Sequence, residues 1–385
     1  MDLSKQSLDI SSLLDGYRNR RFAPRDILDE VISRIESMPE HNAWITRLSR
    51  AQAGEYLDAI QGQSPDSLPL YGIPFAIKDN IDLANVPTTA ACPDYAYLPT
   101  GHAFVVEQLI AAGAIPIGKT NLDQFATGLV GTRSPYGPGK NSFNPDYVSG
   151  GSSSGSAIAV AMGQVSFALG TDTAGSGRVT AAFNNLIGLK PTRGYLSTTG
   201  VVPACRSLDC VSILSLTAGD ARLVLDACDG YDRKDDYARI PPVASPWFDF
   251  ARLKVGVPAE SQLEFFGNSD AEELFRQTVN AVKSLGGEVV EIDFTPFLEA
   301  ARLLYEGPWV TERYLAIEEF INARPEALHP VTREIIGAGR DQSAADAFRA
   351  QYRLQALQNA TREIWEQVDT IVTPTAGTIY TIEEV

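Results

Sequence analysis

The sequence predicts an α/β protein with a central mixed β-sheet flanked by helices. From about residue 70 onward, short apolar runs alternate with helical segments, a rhythm typical of βα units. The chain has 385 residues, of which 44% are hydrophobic, so it can bury one large core or about two to three average domains. Fourteen of the 31 glycines fall within residues 128–200, which points to several tightly bent loops in that part of the sheet region.

The predicted elements follow from apolar spacing. Residues 24–38 begin with a proline suited to a first helical turn and carry apolar residues at helical spacing, and 51–60 form a second predicted helix. Strands are then predicted at 73–78, 114–119 and 165–171, a helical segment at 102–112, and later a strand at 253–257, a helix at 270–285, a strand at 288–294, several helices and a strand at 369–375. We expect residues 1–65 to be an N-terminal helical segment that packs on the core, and 66–385 to complete a single domain overall.

Composition excludes several classes of function. The formal net charge is −16 with no basic cluster, which argues against nucleic acid and anionic membrane surfaces as partners. The N-terminus lacks the pattern of a signal peptide and no apolar run reaches membrane-spanning length, so a cytoplasmic location is expected. Four irregularly spaced cysteines and three scattered histidines predict no metal site, no cofactor and no Ser-His-Asp triad.

The stretch VSGGSSSGSAIAV, residues 148–160, is either a flexible Gly/Ser linker or a bent loop that presents serine hydroxyls. Composition alone favours a linker. The surrounding glycines are, however, interleaved with AIAVAMG and VSFALGT, apolar segments that require burial. A structured loop whose backbone shape matters is therefore the better interpretation.

Two further segments supply candidate chemistry. In GTDTAGSGRV, residues 170–179, small residues around Ser176 let the backbone approach a carbonyl group and turn N–H groups toward its oxygen. Lys78 closes the apolar run GIPFAIK, where desolvation favours the neutral, basic amine. A neutral amine can take a proton from serine, so a hydrolase that uses serine and lysine is one candidate function.

GGSSSGSA, GTDTAGSGR and YGIPFAIKDNID together resemble the amidase signature family over nearly the whole chain. The resemblance implies the amidase-signature fold, with residues 66–385 as its catalytic domain, and a triad of Ser176 as nucleophile, Ser152 as bridging serine after a cis peptide, and Lys78 as base. It further implies an oxyanion hole formed by the backbone N–H groups of residues 173–176, namely Thr173, Ala174, Gly175 and Ser176. We interpret Asp172 and Arg178 as an ion pair that fixes the nucleophile loop, and the Ser153 and Ser154 hydroxyls as partners of the backbone.

Within the family, three local details resemble allophanate hydrolases: DTAGSGRVTAAFNN, GVVPACRSLDCVSI and LLYEGPWVTERY. The last resembles a substrate-binding helix, which implies that Tyr305 and Arg313, two turns apart on one helix face, hold a substrate carboxylate. Gly128 matches a position whose backbone lies beside the substrate. The alternative for Arg313 is an ordinary surface arginine paired with a neighbouring glutamate.

The expected reaction is hydrolysis of a small anionic amide, most simply allophanate, with release of ammonia. Other amidases of the family, the amidase subunit of an amidotransferase and an inactive scaffold remain alternatives, and a homodimer is left open. Relatives continue past DTIVTPTAG, so we also expect the chain to be part of a longer polypeptide.

Overall fold

The computed structural model describes residues 3–240 and 249–385. Its helices are α1 Ile10–Arg18, α2 Pro24–Ser37, α3 Arg50–Ala59, α4 Phe104–Ala111, α5 Ser154–Ala161, α6 Arg178–Phe183, α7 Ala218–Cys228, α8 Ser269–Ser284, α9 Thr295–Glu306, α10 Val310–Ala316, α11 Glu318–Ala323, α12 Pro330–Gly337, α13 Ala344–Ala360 and α14 Arg362–Trp365. Its strands are β1 Trp44–Arg47, β2 Pro74–Lys78, β3 Ile115–Thr120, β4 Phe167–Thr171, β5 Ile187–Leu189, β6 Val211–Ser215, β7 Lys254–Pro258, β8 Glu288–Ile292 and β9 Thr370–Ile371.

These elements form two compact units. The first comprises Met1–Pro241, Ala316–Glu334 and Tyr380–Val385, and the second comprises Pro242–Leu315 and Ile335–Ile379. The boundary expected at residue 65, and the single domain overall, stay predictions. Among the described residues, no helix is both long enough and apolar enough to cross a membrane.

The first unit contains a six-stranded sheet in the order β1-β3-β2-β4-β6-β5. Strand β2 runs parallel to both β3 and β4, whereas β1, β5 and β6 pair antiparallel with their neighbours. The expectation of a mixed sheet flanked by helices is therefore confirmed. Every residue of β2, β3 and β4 is buried, which explains why these strands read as continuous apolar runs without alternation.

The helices before residue 65 contribute to the same core as the sheet. Leu13 from α1 and Ile27 and Val31 from α2 belong to one buried cluster with Phe75 and Phe167. Those two phenylalanines stack on neighbouring strands with ring centroids 5.2 Å apart. In α2, the Asp26 carboxylate accepts the Ala23 N–H at 2.8 Å and so satisfies one donor at the helix start. The predicted helix over 24–38 is confirmed to within one residue.

The second unit has its own three-stranded parallel sheet, in the order β8-β7-β9. Its strands match the segments predicted at 253–257 and 288–294, while the strand expected over 369–375 is only Thr370–Ile371. The single central sheet predicted from the sequence is thus accompanied by a smaller one.

Candidate active site

Lys78 is the last residue of β2 and is fully buried. Its Nζ donates to Ser152 Oγ and to Thr171 Oγ1, both at 2.7 Å. The second contact follows from the parallel pairing of β2 with β4, since parallel strands bring their carboxyl ends to one edge of the sheet. A buried ammonium is costly, so this position favours the neutral amine that a base requires.

Ser152 lies in the loop that leads into α5, and the peptide bond between Gly151 and Ser152 is cis, as the resemblance implied. Residues 149–160 are buried, which excludes the flexible linker. The Ser153 hydroxyl donates to the Thr171 carbonyl at 3.1 Å, and that of Ser154 to the Asn121 carbonyl at 3.4 Å. Both serve the backbone, as the sequence predicted.

Ser176 lies in the loop between β4 and α6 and is 5% exposed. The N–H of Ser153 donates to the Ser176 carbonyl at 3.2 Å, so the two serine loops are joined through the backbone. Among the described residues, no hydrogen bond joins the Ser152 and Ser176 hydroxyls. The structure therefore shows the contact from Lys78 to Ser152, with Ser176 on the adjoining loop.

The loop of Ser176 is organised by the buried carboxylate of Asp172. It accepts the N–H groups of Gly175 at 2.7 Å, Gly177 at 3.2 Å and Arg178 at 3.1 Å, and two guanidinium contacts from Arg178 at 2.9 Å. Lys190 adds an ion pair at 3.3 Å. Burial alone would raise the pKa of Asp172, but the hydrogen bond from Arg178 and the charges of Lys190 and Arg178 hold it well below its usual range.

This arrangement corrects one expectation about the oxyanion hole. The N–H of Gly175 donates to Asp172, so in this structure it is not one of four amides directed at a substrate oxygen. Gly175 adopts a φ of +127°, a conformation that glycine tolerates, and this turns its amide toward the carboxylate. We still predict that the oxyanion hole is formed by the backbone N–H groups of Thr173, Ala174 and Ser176.

Tyr305 and Arg313 belong to the second unit, and the prediction that they share one helix is wrong. Helix α9 ends at Glu306, Gly307 is extended, and α10 begins at Val310. The reason is Pro308, which disfavours helical geometry at the residue before it and lacks an N–H to donate. Tyr305 and Arg313 are therefore not two turns apart on one face of a helix. The Tyr305 side chain is 57% exposed, and Arg313 is partly buried.

Sequence reasoning missed several buried polar residues near the three residues of the expected triad. Thr171 binds Lys78, and Asp79 forms an ion pair with Lys119 at 3.0 Å with neither side chain exposed. Burial lowers the pKa of Lys119 and raises that of Asp79, while their mutual attraction opposes both shifts. The signal for Lys119 was present, because IPIGK resembles IPFAIK as an apolar strand that reaches a lysine. Within the described ranges, no group of three or more histidine, cysteine or acidic residues is arranged to hold a metal ion.

We predict that Asp172→Asn lowers the free energy of unfolding by about 1.5–3 kcal/mol at pH 7, because the change removes the anion that accepts charge-assisted hydrogen bonds from the partly exposed Arg178 and pairs with Lys190. The Asp172 pKa is depressed in the folded state, so its contribution is present above the ordinary value of about 3.9 and declines as the pH falls below it. Urea denaturation at pH 7 and pH 3 should show the gap between wild type and variant narrowing by about 1 kcal/mol.

Asp226→Asn is the matched control for Asp172→Asn, since Asp226 pairs with Arg222 on the surface and its loss should change stability little. A gap as large at pH 3 as at pH 7 would contradict the assignment of the effect to the ionised carboxylate.

The comparisons with known proteins agree with this geometry. The profile of the Amidase family matches residues 26–381. The chain is 47% identical to urea amidolyase of Saccharomyces cerevisiae over 93% of this chain and 20% of that protein. It superimposes on Kluyveromyces lactis allophanate hydrolase with a TM-score of 0.91 and 43% identity, over 98% of this chain and 62% of that one. It is 33% identical to a glutamyl-tRNA(Gln) amidotransferase subunit of Akkermansia muciniphila over 97% of this chain and 84% of that protein. The chain thus spans about a fifth of the urea amidolyase, and it belongs to the amidase family.

Proposed function

We propose that this chain hydrolyses allophanate and releases ammonia through a Ser–Ser–Lys triad. The observation that carries the proposal is the buried hydrogen bond between Lys78 Nζ and Ser152 Oγ beside the loop of Ser176. The substrate is inferred from the names of two similar proteins, a urea amidolyase and an allophanate hydrolase. At 43–47% identity these relatives are nearer than the amidotransferase subunit, which is 33% identical.

The reaction begins with proton transfer. Neutral Lys78 accepts the proton of the Ser152 hydroxyl, Ser152 accepts that of Ser176, and Ser176 Oγ attacks the terminal amide carbonyl. The two serine hydroxyls lack a direct hydrogen bond here, and catalytic contacts of this kind commonly tighten only when substrate is bound. The oxygen of the tetrahedral intermediate accepts hydrogen bonds from the N–H groups of Thr173, Ala174 and Ser176.

Collapse of the intermediate breaks the C–N bond. The proton held by Lys78 returns through Ser152 to the departing nitrogen, which leaves as ammonia, and Ser176 remains as an acyl ester. Water then attacks the ester carbonyl, giving its proton to the same relay, and Ser176 recovers its hydroxyl. No redox step occurs, and these side chains supply every proton transfer.

Substrate selection is the second part of the proposal. Allophanate carries a carboxylate, and a protein with a net charge of −16 needs a local cation to bind it. We assign that role to Arg313, with Tyr305 as a second contact, from the resemblance of their segment to a substrate-binding helix. Gly128 is assigned a backbone contact with the substrate on the same ground.

A second candidate is an amidase that supplies ammonia to a partner enzyme. It is supported by the 33% identity to an amidotransferase subunit over 84% of that protein. The two candidate functions can be separated by measuring ammonia release from allophanate, malonamate, biuret, glutamine and a simple aliphatic amide. Preference for glutamine would overturn the allophanate assignment. We propose a cytoplasmic location and a homodimer together with the allophanate assignment. The four cysteines are buried thiols, as suits a reducing compartment.

We predict that Ser176→Ala lowers turnover by on the order of 10³-fold or more, because it removes the nucleophile. Ser166→Ala is a matched control, since this buried hydroxyl has no hydrogen-bond partner among the described residues and lies just before β4. Ammonia release with purified variants is the measurement. Retention of more than about a tenth of the wild-type rate by Ser176→Ala would refute the assignment.

We predict that Lys78→Arg is as inactive as Lys78→Ala, with losses on the order of 10²–10⁴-fold for removal of a general base. A guanidinium remains charged at any working pH and cannot accept a proton. Steady-state rates of both variants, with thermal melts to verify folding, test this. An active arginine variant would show that charge, rather than basicity, is what the site needs.

We predict that Arg313→Ala lowers kcat/KM for allophanate by about tenfold or more and leaves a neutral amide of similar size nearly unaffected. A charge-assisted hydrogen bond to a carboxylate contributes about 1.5–3 kcal/mol. Arg349→Ala removes an exposed arginine paired with Asp346 and serves as the control for an ordinary surface residue. Equal losses on charged and neutral substrates would mean that Arg313 only supports the fold.

A further inference from the structure

Asp123 is a fully buried carboxylate in the loop after β3. Its two oxygens each accept a backbone amide: Oδ2 from Gly131 at 3.0 Å and Oδ1 from Arg133 at 2.9 Å. Its own N–H donates to the Ser152 carbonyl at 3.1 Å. One residue therefore connects the 128–133 segment with the backbone of the bridging serine.

The same carboxylate packs tightly against two glycines of the site. A Cβ added to Gly151 would lie 1.9 Å from Asp123 Oδ2, and one added to Gly128 would lie 2.6 Å from it. Such separations are impossible for real atoms, so the absence of side chains at both positions is what admits the carboxylate. Asp123 thus lies between the Gly151–Ser152 peptide and the glycine proposed to lie beside the substrate.

We propose that Asp123 is a positioning residue whose carboxylate clamps the 128–133 segment onto the Gly151–Ser152 peptide and so holds Ser152 Oγ in reach of Lys78. The inference rests on the proposed function, since it concerns the same reaction. Asp123 would act through Ser152 and through the backbone of residues 128–133, and it does not contact the reacting atoms.

The charge of Asp123 acts on Lys78 separately from the clamp. The buried carboxylates of Asp79 and Asp172 each form ion pairs with lysine or arginine, whereas Asp123 has no cation within 4.0 Å among the described residues. Burial raises the pKa of Asp123, and the amides of Arg133 and Gly131, together with the charges of Arg133 and Lys78, oppose that rise. By reciprocity, an ionised Asp123 favours the protonated form of Lys78.

The test is Asp123→Asn, which keeps the shape but replaces one accepting oxygen with an NH₂ group and removes the charge. We expect kcat to fall by about tenfold or more, and the acid limb of the kcat/KM profile to move to lower pH because Lys78 loses its proton more easily. Asp220→Asn is the matched control: Asp220 is 2% exposed, accepts the Ile10 N–H at 3.2 Å and lies on α7. It should lower the melting temperature and leave kcat and the pH profile unchanged.

Gly128→Ala provides a second route if Asp123→Asn fails to fold. The added methyl displaces the carboxylate without removing its charge, so kcat should fall while the acid limb moves less than in Asp123→Asn. Gly101→Ala is its control, because a Cβ there meets nothing within 4 Å. The double variant Asp123→Asn/Gly128→Ala should lose less than the product of the two single losses, because both act on one contact.

Labelling of Ser176 by a fluorophosphonate probe separates this inference from the substrate assignment. If the wild type is labelled but does not hydrolyse allophanate, the assignment of allophanate as the substrate is wrong. The labelling rate of Asp123→Asn, which we expect to be about tenfold lower than that of the wild type, still tests the clamp. A variant that melts earlier but keeps wild-type kcat, labelling rate and acid limb would overturn the proposal. The proposal would also be overturned if the loss of kcat in the double variant equalled the product of the two single losses, or if the wild type showed neither labelling nor turnover.

Discussion

The site depends on the burial of one amine at the carboxyl end of the central strand β2. Removing an ammonium from water costs several kcal/mol, so a lysine with no exposed surface must be neutral or closely compensated. Lys78 meets this requirement with two hydroxyl partners, Thr171 on β4 and Ser152 on the loop before α5. Both partners can take either role in a hydrogen bond, so the contacts persist whether the amine is charged or neutral. This is what a base that gains and loses a proton in each cycle requires.

The neighbouring buried charges are fixed in a different way. Asp79 is paired with Lys119, and Asp172 with Arg178 and Lys190, so each buried carboxylate has at least one cation beside it. Breaking either set would leave an uncompensated charge, which makes these residues rigid supports for their loops. Lys78, the proposed base, donates to two hydroxyl groups, whereas Lys119 donates to the Thr88 hydroxyl and pairs with the Asp79 carboxylate. We infer from that contrast that Lys78, rather than Lys119, is suited to act as a base.

The sequence predicted what depends on local pattern. Apolar runs located β2, β3 and β4 to within two residues, and motif spacing identified the loops that the sheet then brings to one edge. It failed where the folded backbone decides: the amide of Gly175 turns to Asp172 within one loop, and the position of Asp123 becomes informative only once Gly128 and Gly151 pack against it. The break between α9 and α10 was visible in Gly307–Pro308, but the resemblance of the segment to a substrate-binding helix was given more weight.

The residues proposed for bond cleavage and the side chains proposed for substrate selection belong to different units. The residues proposed for bond cleavage, Lys78, Ser152 and Ser176, all lie in the first unit, whereas Tyr305 and Arg313, proposed to select the substrate, lie in the second. The first set demands exact donor and acceptor geometry, so substitutions there abolish chemistry. The second needs only a cation and a hydroxyl presented to a carboxylate, which many sequences can provide or omit. Amidases with unlike substrates can therefore keep the triad while the residues that bind the substrate vary, because specificity is a difference between binding affinities.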